Sequence, residues 1–261
     1  MNTSLVGKNA LVGGGSAGIG RAVAAELAQL GANVTLLARS EDRLMAAKEI
    51  LDTSQGQMHD ILVADYSDIE KLKVGVDALL EKRSFQILVN NTGGPPGGPI
   101  SEASDKEFIS AFHNHLLCNH LLLQALLPGM KKAGYGRVIN VISTSVKEPI
   151  VGLGVSNTTR WAVASWAKTL SVELGEFGIT VNNVLPGFTN TSRLDEIIEN
   201  RVKKSAASRS VIENSMKSQV PLRRFAEPEE VAAAVAFLAS PAAGYISGIN
   251  LPVDGGRTKS L

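Results

Sequence analysis

The chain has 261 residues, 44% of them hydrophobic and 20% charged, with a net charge of +1. That composition supports a buried core and excludes a partner recruited by bulk charge, such as a nucleic acid. A single cysteine, Cys118, excludes an intrachain disulfide framework and fits a reducing cytoplasm; among Leu116, Leu117 and Leu121 it reads as a small core residue.

In chain order, apolar runs at 9–12, 34–37, 61–64, 87–89, 138–142, 180–185 and 250–253 alternate with helical spacing at 18–30, 41–51 and 69–80. The runs are continuously apolar, as strands buried on both faces are. Right-handed crossovers then give an α/β fold, a Rossmann-type doubly wound parallel sheet of about seven strands. No repeat or linker divides the chain, so one domain over 1–261 is expected. The polar segment 192–220 follows a strand end, where such sheets place ligands. Its apolar stripes, Leu194, Ile197 and Ile198, then Val211, Ile212 and Met216, predict a helical lid carrying Arg193, Arg201, Lys203 and Lys204. Those charges suit an anionic substrate or a solvated face equally well. No run approaches the roughly 18 to 20 apolar residues of a membrane span. Nor does the short stretch before the first strand leave room for a signal peptide, so a soluble, cytoplasmic protein is expected.

Gly13-Gly14-Gly15-Ser16-Ala17-Gly18-Ile19-Gly20 follows the first strand and opens the first helix. Glycines there let the backbone turn tightly against a pyrophosphate held at the helix N-terminus. Just past the second strand lies Arg39, whose guanidinium suits a ribose 2′-phosphate, beside Ala38. Three histidines mark the segment before the fifth strand. His113 and His120, seven apart, share one helix face opposite His115. Without a third ligand at metal spacing they read as surface or subunit-contact residues, and no metal site is expected.

The spacing Gly14-x-x-x-Gly18-x-Gly20 resembles that of the short-chain dehydrogenase/reductase family. Asn90-Asn91-Thr92-Gly93 is similar to the family's Asn-Asn-Ala-Gly motif, and Pro186-Gly187-Phe188-Thr189-Asn190-Thr191 to its Pro-Gly segment. Asp65-Tyr66 falls where the family borders the adenine. The resemblance implies a nicotinamide dinucleotide held by Gly14, Gly15, Ser16, Ala17, Gly18, Ile19, Gly20, Arg39, Asp65, Tyr66, Asn91, Gly93, Arg160, Pro186, Gly187, Thr189 and Thr191. Ala38 stands at the family's Asp position, so NADP(H) is favoured over NAD(H), although Ala17 lacks the second cation that NADP users often add.

The family's working set is Ser, Tyr, Lys and Asn. Carried over, these positions are Ser143, Ser156, Arg160 and His115, so the Tyr-x-x-x-Lys box reads Ser156-Asn157-Thr158-Thr159-Arg160. An aliphatic hydroxyl is a far poorer acid than a phenol, while Arg160 can still bind ribose hydroxyls. His115 is the candidate proton donor, because imidazole ordinarily titrates near 6.5. Asn114, one residue away, is turned about 100° around an α-helix and does not substitute. The implied function is an NADP(H)-dependent oxidoreductase acting on a small carbonyl or alcohol substrate, most similar to the 3-oxoacyl carrier-protein reductase branch. Reduction of a conjugated carbon–carbon bond and non-catalytic nucleotide binding are the alternatives. A homo-dimer or homo-tetramer is implied by the resemblance alone.

Overall fold

The computed structural model describes residues 1–205 and 207–260, without the side chain of Lys204. Seven parallel strands form one sheet: β1 (Asn9–Gly13), β2 (Asn33–Ala38), β3 (Asp60–Val63), β4 (Ile87–Asn90), β5 (Gly136–Val141), β6 (Ile179–Pro186) and β7 (Asn250–Val253). Their order is β3-β2-β1-β4-β5-β6-β7. Chain direction across the sheet reverses between β1 and β4, and the crevice beyond the carboxyl ends of those two strands is where such sheets take a ligand.

Helices cover both faces. They are α1 (Gly18–Gln29), α2 (Glu41–Glu49), α3 (Ile69–Leu80), α4 (Asp105–Phe112), α5 (Cys118–Ala133), α6 (Gly154–Glu173), α7 (Ser192–Ser205), α8 (Arg209–Ser218) and α9 (Pro228–Ala239). Strand alternation sorts side chains between two cores. Val12, Val34 and Ile139 pack against Val23 and Leu27 of α1 and Val231 and Val235 of α9. Leu11, Leu88 and Val138 face Leu72 of α3, Leu122 and Leu126 of α5 and Ala167 of α6. Each fully buried Leu or Val contributes about 1.5–3 kcal/mol. Among the described residues no helix is long and apolar enough to cross a membrane.

The expected strand ends shift by a residue or two. Pairing sets a strand's end more than apolarity does: β3 begins at Asp60, opposite Thr35, and β5 begins at Gly136, opposite Ile179. Four asparagines in register on β4, β5, β6 and β7 join side chain to side chain. Asn90 donates to Asn140 (2.8 Å), Asn140 to Asn183 (2.9 Å) and Asn183 to Asn250 (2.8 Å). This buried ladder fixes the register of the strands that carry the cleft's floor.

Segment 192–220 forms α7 and α8, which enclose their own core of Leu194, Ile198, Met216 and Phe225. Ile197 and Ile212 pack against it, whereas Val211, expected in the stripe, is exposed. Ala206, within the expected lid, and Leu261, the end of the expected domain, lie outside the described residues.

Candidate active site

The turn from β1 into α1 builds the floor of the crevice. Gly14 has φ 60°, and a Cβ there would lie 2.6 Å from Asn91 Nδ2. That left-handed conformation and close approach leave room for glycine alone. Asn91 closes the turn by donating from Nδ2 to Gly13 O (3.1 Å). Helix α1 begins without a side-chain cap or an acid in its first turn, so its N-terminal amides are left for a ligand. Gly15 and Gly20, expected at the cofactor, are buried behind the turn instead. Gly15 donates its N–H to Leu37 O (3.2 Å), and a side chain on Gly20 would overlap Gly14 O. They shape the turn, and neither lines either cleft.

Two clefts open from it. One, of about 420 Å³, is lined by Ser16, Ala38, Arg39, Ser40, Arg43, Asp65, Tyr66, Gly93 and Asn114, among others. Arg39 Nη1 lies 3.7 Å from Asp65 Oδ2, both side chains being well exposed. Arg43, on α2, was missed in the sequence. It follows Arg39 by four residues and brings a second cation to the lining of this cleft, where Ala17 brings none. The Tyr66 hydroxyl points under Gly13, where burial pushes its pKa up.

The other cleft, of about 350 Å³, brings together Gly14, Ala17, Gly18, Ile19, Asn91 and Gly93 with Pro186, Gly187, Thr189 and Thr191. Ser143, Ser156 and Arg160 line it too. Thr191 Oγ1 donates to Thr189 O, and Thr189 Oγ1 to Gly187 O, each at 3.2 Å, which stiffens the segment after β6. From the lid come Arg193, Leu194 and Ile197, with Phe188 from the segment before it. Of the expected lid cations only Arg193 lines this cleft; the side chain of Lys204 lies outside the described residues.

Ser143 lies two residues past β5 in extended backbone, and its Oγ accepts from Ser145 N–H (3.0 Å). With an acceptor site satisfied, its own proton is free for a group in the cleft. Ser156 and Arg160 lie on α6, one turn apart. Asn157 anchors that helix to the loop after β5 by donating from Nδ2 to Ile150 O (2.9 Å). Arg160 is only 7% exposed, and its bonds to Val141 O (3.5 Å) and Thr92 O (3.4 Å) are long. Burial, then the charge of Arg193, pulls its pKa down to about 10.

His115 does not fit the expected role of near-neutral proton carrier. It is 2% exposed, lines neither cleft, and its Nδ1 sits 2.5 Å from Thr92 Oγ1. Burial, then the nearby Arg160 charge, pulls its pKa down to about 2. The imidazole is therefore neutral throughout the working range. A π-helical turn, His113–Leu117, joins α4 to α5 and breaks the α-helical phase assumed from the sequence. Asn114 consequently lines the Arg39 cleft while its neighbour His115 reaches Thr92. His120, expected as a surface or contact residue, is half-buried and accepts from Trp166 Nε1 at 3.3 Å. His113 is also half-buried, beside Asn114.

A pH dependence follows. Exposed in the unfolded chain, His115 titrates near 6.5, and in place at about 2. Between those values the unfolded state binds the extra proton. The His115 contribution is complete above about pH 6.5 and stability falls as pH drops, by about 1.4 kcal/mol per unit. His115→Asn should remove that component. Urea titrations between about pH 4 and 6.5 check it, and an unchanged slope in the variant would contradict a buried neutral imidazole.

The residues present fit a dinucleotide: a turn that admits no side chain, uncapped helix amides, and two arginines at the adenosine end. Fold and clefts together define a nicotinamide-dependent oxidoreductase. Comparison with known proteins agrees. A family model described as enoyl-(acyl carrier protein) reductase matches residues 14–258. The 3-oxoacyl-acyl-carrier-protein reductase FabG of Pseudomonas aeruginosa is 35% identical over 98% of this chain and 100% of its own. The NADPH-dependent reductase BacG of Bacillus subtilis is 28% identical over 97% of this chain and 99% of its own. The structure of L-sorbose reductase from Gluconobacter frateurii, complexed with NADPH and L-sorbose, superposes with a TM-score of 0.93 at 31% identity, covering 100% of both chains. The chain belongs to the short-chain dehydrogenase/reductase family, and is similar to its 3-oxoacyl carrier-protein reductases.

Proposed function

We propose that this protein is an NADPH-dependent reductase of small carbonyl compounds whose proton delivery does not use a tyrosine. The observation that carries the reading is the convergence of the free Ser143 hydroxyl with the glycine turn and Thr191 in one cleft. NADPH, when bound, supplies the hydride. Gly14, Ser16, Ala17, Gly18 and Ile19 would hold its pyrophosphate end, Arg39 and Arg43 its 2′-phosphate, and Asp65, Tyr66, Asn91 and Gly93 its adenosine. Arg160, Pro186, Gly187, Thr189 and Thr191 would hold the nicotinamide half.

In this reading Ser143 donates to the substrate oxygen and orients it. Ser156 faces the same cleft but is a poor acid, so the proton comes from solvent through that hydroxyl. His115 takes no part as an acid; its contact with Thr92 fixes the loop whose carbonyl accepts from Arg160. A positioned acid is worth about 10²- to 10⁴-fold, so turnover is slower than with tyrosine yet well above the uncatalysed rate. The second reading, reduction of a conjugated carbon–carbon bond, is favoured by the same missing phenol, since there the proton goes to carbon.

The reading includes a homo-oligomer in the cytoplasm. Ile109, Leu117, Trp161 and Val172 are exposed apolar side chains that a second copy would cover. The test of activity is single-turnover oxidation of NADPH against ketones and enones, each with and without a carboxylate, and against oxoacyl thioesters. Stoichiometric oxidation with ketones or oxoacyl thioesters is the expected result. Oxidation with enones alone would install the second reading, and silence across the panel with NADPH bound would make this a nucleotide-binding protein.

A further inference from the structure

Two guanidinium groups meet beside Gly94 in the cleft that holds Ser143. A Cβ built on Gly94 would lie 3.8 Å from Arg193 Nη2 and 3.9 Å from Arg160 Nη2. They come from separate elements, α6 and α7. No acidic side chain is among the residues lining this cleft, and among the described residues Arg160 has no ion pair. Both facts bear on cost. Removing a cation from water without an anionic partner is expensive, and folds retain such an arrangement where a ligand completes it.

The partners the chain itself offers are insufficient. Arg160 carries five N–H donors, of which two make the long bonds to Val141 O and Thr92 O. Arg193 donates from Nη2 to Pro95 O (2.9 Å), which ties the lid to the loop after β4. Its pair with Glu196 (3.1 Å) lies at the surface, with side chains 42% and 60% exposed, and holds it weakly. Ribose hydroxyls on Arg160 would occupy donors but leave its charge standing. The same cleft also offers apolar lining, from Ile142, Leu153, Phe188, Leu194 and Ile197.

We propose that the cleft takes a substrate bearing a carboxylate, held between Arg193 and Arg160 beside Gly94, with its hydrocarbon part against Phe188 and the lid. This deepens the reductase reading and rests on it for the reacting end of the substrate. Planar guanidinium forks suit a carboxylate in charge and geometry. The substrate is then a ketone or enone that also carries an acid group.

An anion in this place has a second source, the pyrophosphate of the cofactor, and the experiment separates the two. The redox-inert probes 3-phenylpropanoate and 3-phenylpropanamide are titrated calorimetrically into the full-length protein saturated with NADP⁺. NADPH affinity is measured by fluorescence on the same samples. The expected result is a carboxylate at least about tenfold tighter than the amide, because only the carboxylate makes charge-assisted hydrogen bonds to the two guanidinium groups. Arg193→Gln, at a partly exposed position, should abolish that preference and leave NADPH affinity within about twofold, and Arg193→Lys should recover part of it. Equal binding of the two probes, or no carboxylate binding, overturns the proposal. So does a loss of NADPH affinity in Arg193→Gln, which would assign the anion to the cofactor. A carboxylate preference that persists where the substrate panel is silent would instead remove the reductase reading and keep the anion site.

Discussion

Replacing Ser143 with alanine lowers kcat/KM for a carbonyl substrate by about 10²- to 10³-fold, the usual cost of one positioned donor to a developing oxyanion. NADPH affinity stays within about twofold, because the residue contributes no donor at the adenosine end or the glycine turn. The argument rests on how the hydroxyl is held. Its oxygen already accepts from Ser145 N–H at 3.0 Å, which leaves its proton to donate. The backbone before it is pinned from both sides, since Val141 pairs with Val184 and the asparagine ladder locks Asn140 between Asn90 and Asn183. Such a donor needs little reorganisation as charge develops. Steady-state kinetics with a fluorescence titration of NADPH make the check. A loss below tenfold, or an equal loss of cofactor affinity, would move the oxygen's donor elsewhere.

What the sequence made legible was governed by local rules. Buried parallel strands are continuously apolar, so β1 to β7 could be placed within a residue or two, and a strand–Gly–helix turn announces its ligand. Ser143 was found by its resemblance to the family's serine, two residues past β5. What escaped depended on contacts between distant segments. The pairing of Arg160 with Arg193 spans α6 and α7, and only the folded lid puts both beside Gly94. His115 carries a sequence signal for proton transfer that burial cancels, which no spacing rule could show. The π turn at His113–Leu117 altered the phase that separated Asn114 from His115. Arg43 was within reach, since a helix starting at Glu41 turns it toward the same side as Ser40 and Arg39, but no motif marks it.

That arginine sets the second large effect. Arg39→Ala combined with Arg43→Ala should weaken NADPH binding by about 10²- to 10⁴-fold, since each charge-assisted bond to a phosphate is worth about 1.5–3 kcal/mol. NADH, which has no 2′-phosphate, should bind the variant about as well as it binds the parent. Both side chains line the cleft that also holds Ser16, Ser40 and Asp65. Ala38 leaves the place of a ribose-binding carboxylate vacant, and Asp65, whose pKa is lowered by the Ser67 N–H and further by Arg39, stays ionised. Its 3.7 Å pair with Arg39 is loose and exposed, so it orients the guanidinium without consuming it. The single variants divide the effect. If Arg39→Ala alone costs as much as the pair, Arg43 only tunes the potential; if each costs about half in free energy, both touch the phosphate. Fluorescence titrations of NADPH and NADH decide it. Parallel losses for the two cofactors would mean that the arginines hold the adenosine, and cofactor choice would then rest with the backbone of the glycine turn. A selective loss for NADPH puts the choice on two cations that no single motif contains, one just past β2 and one in the first turn of α2.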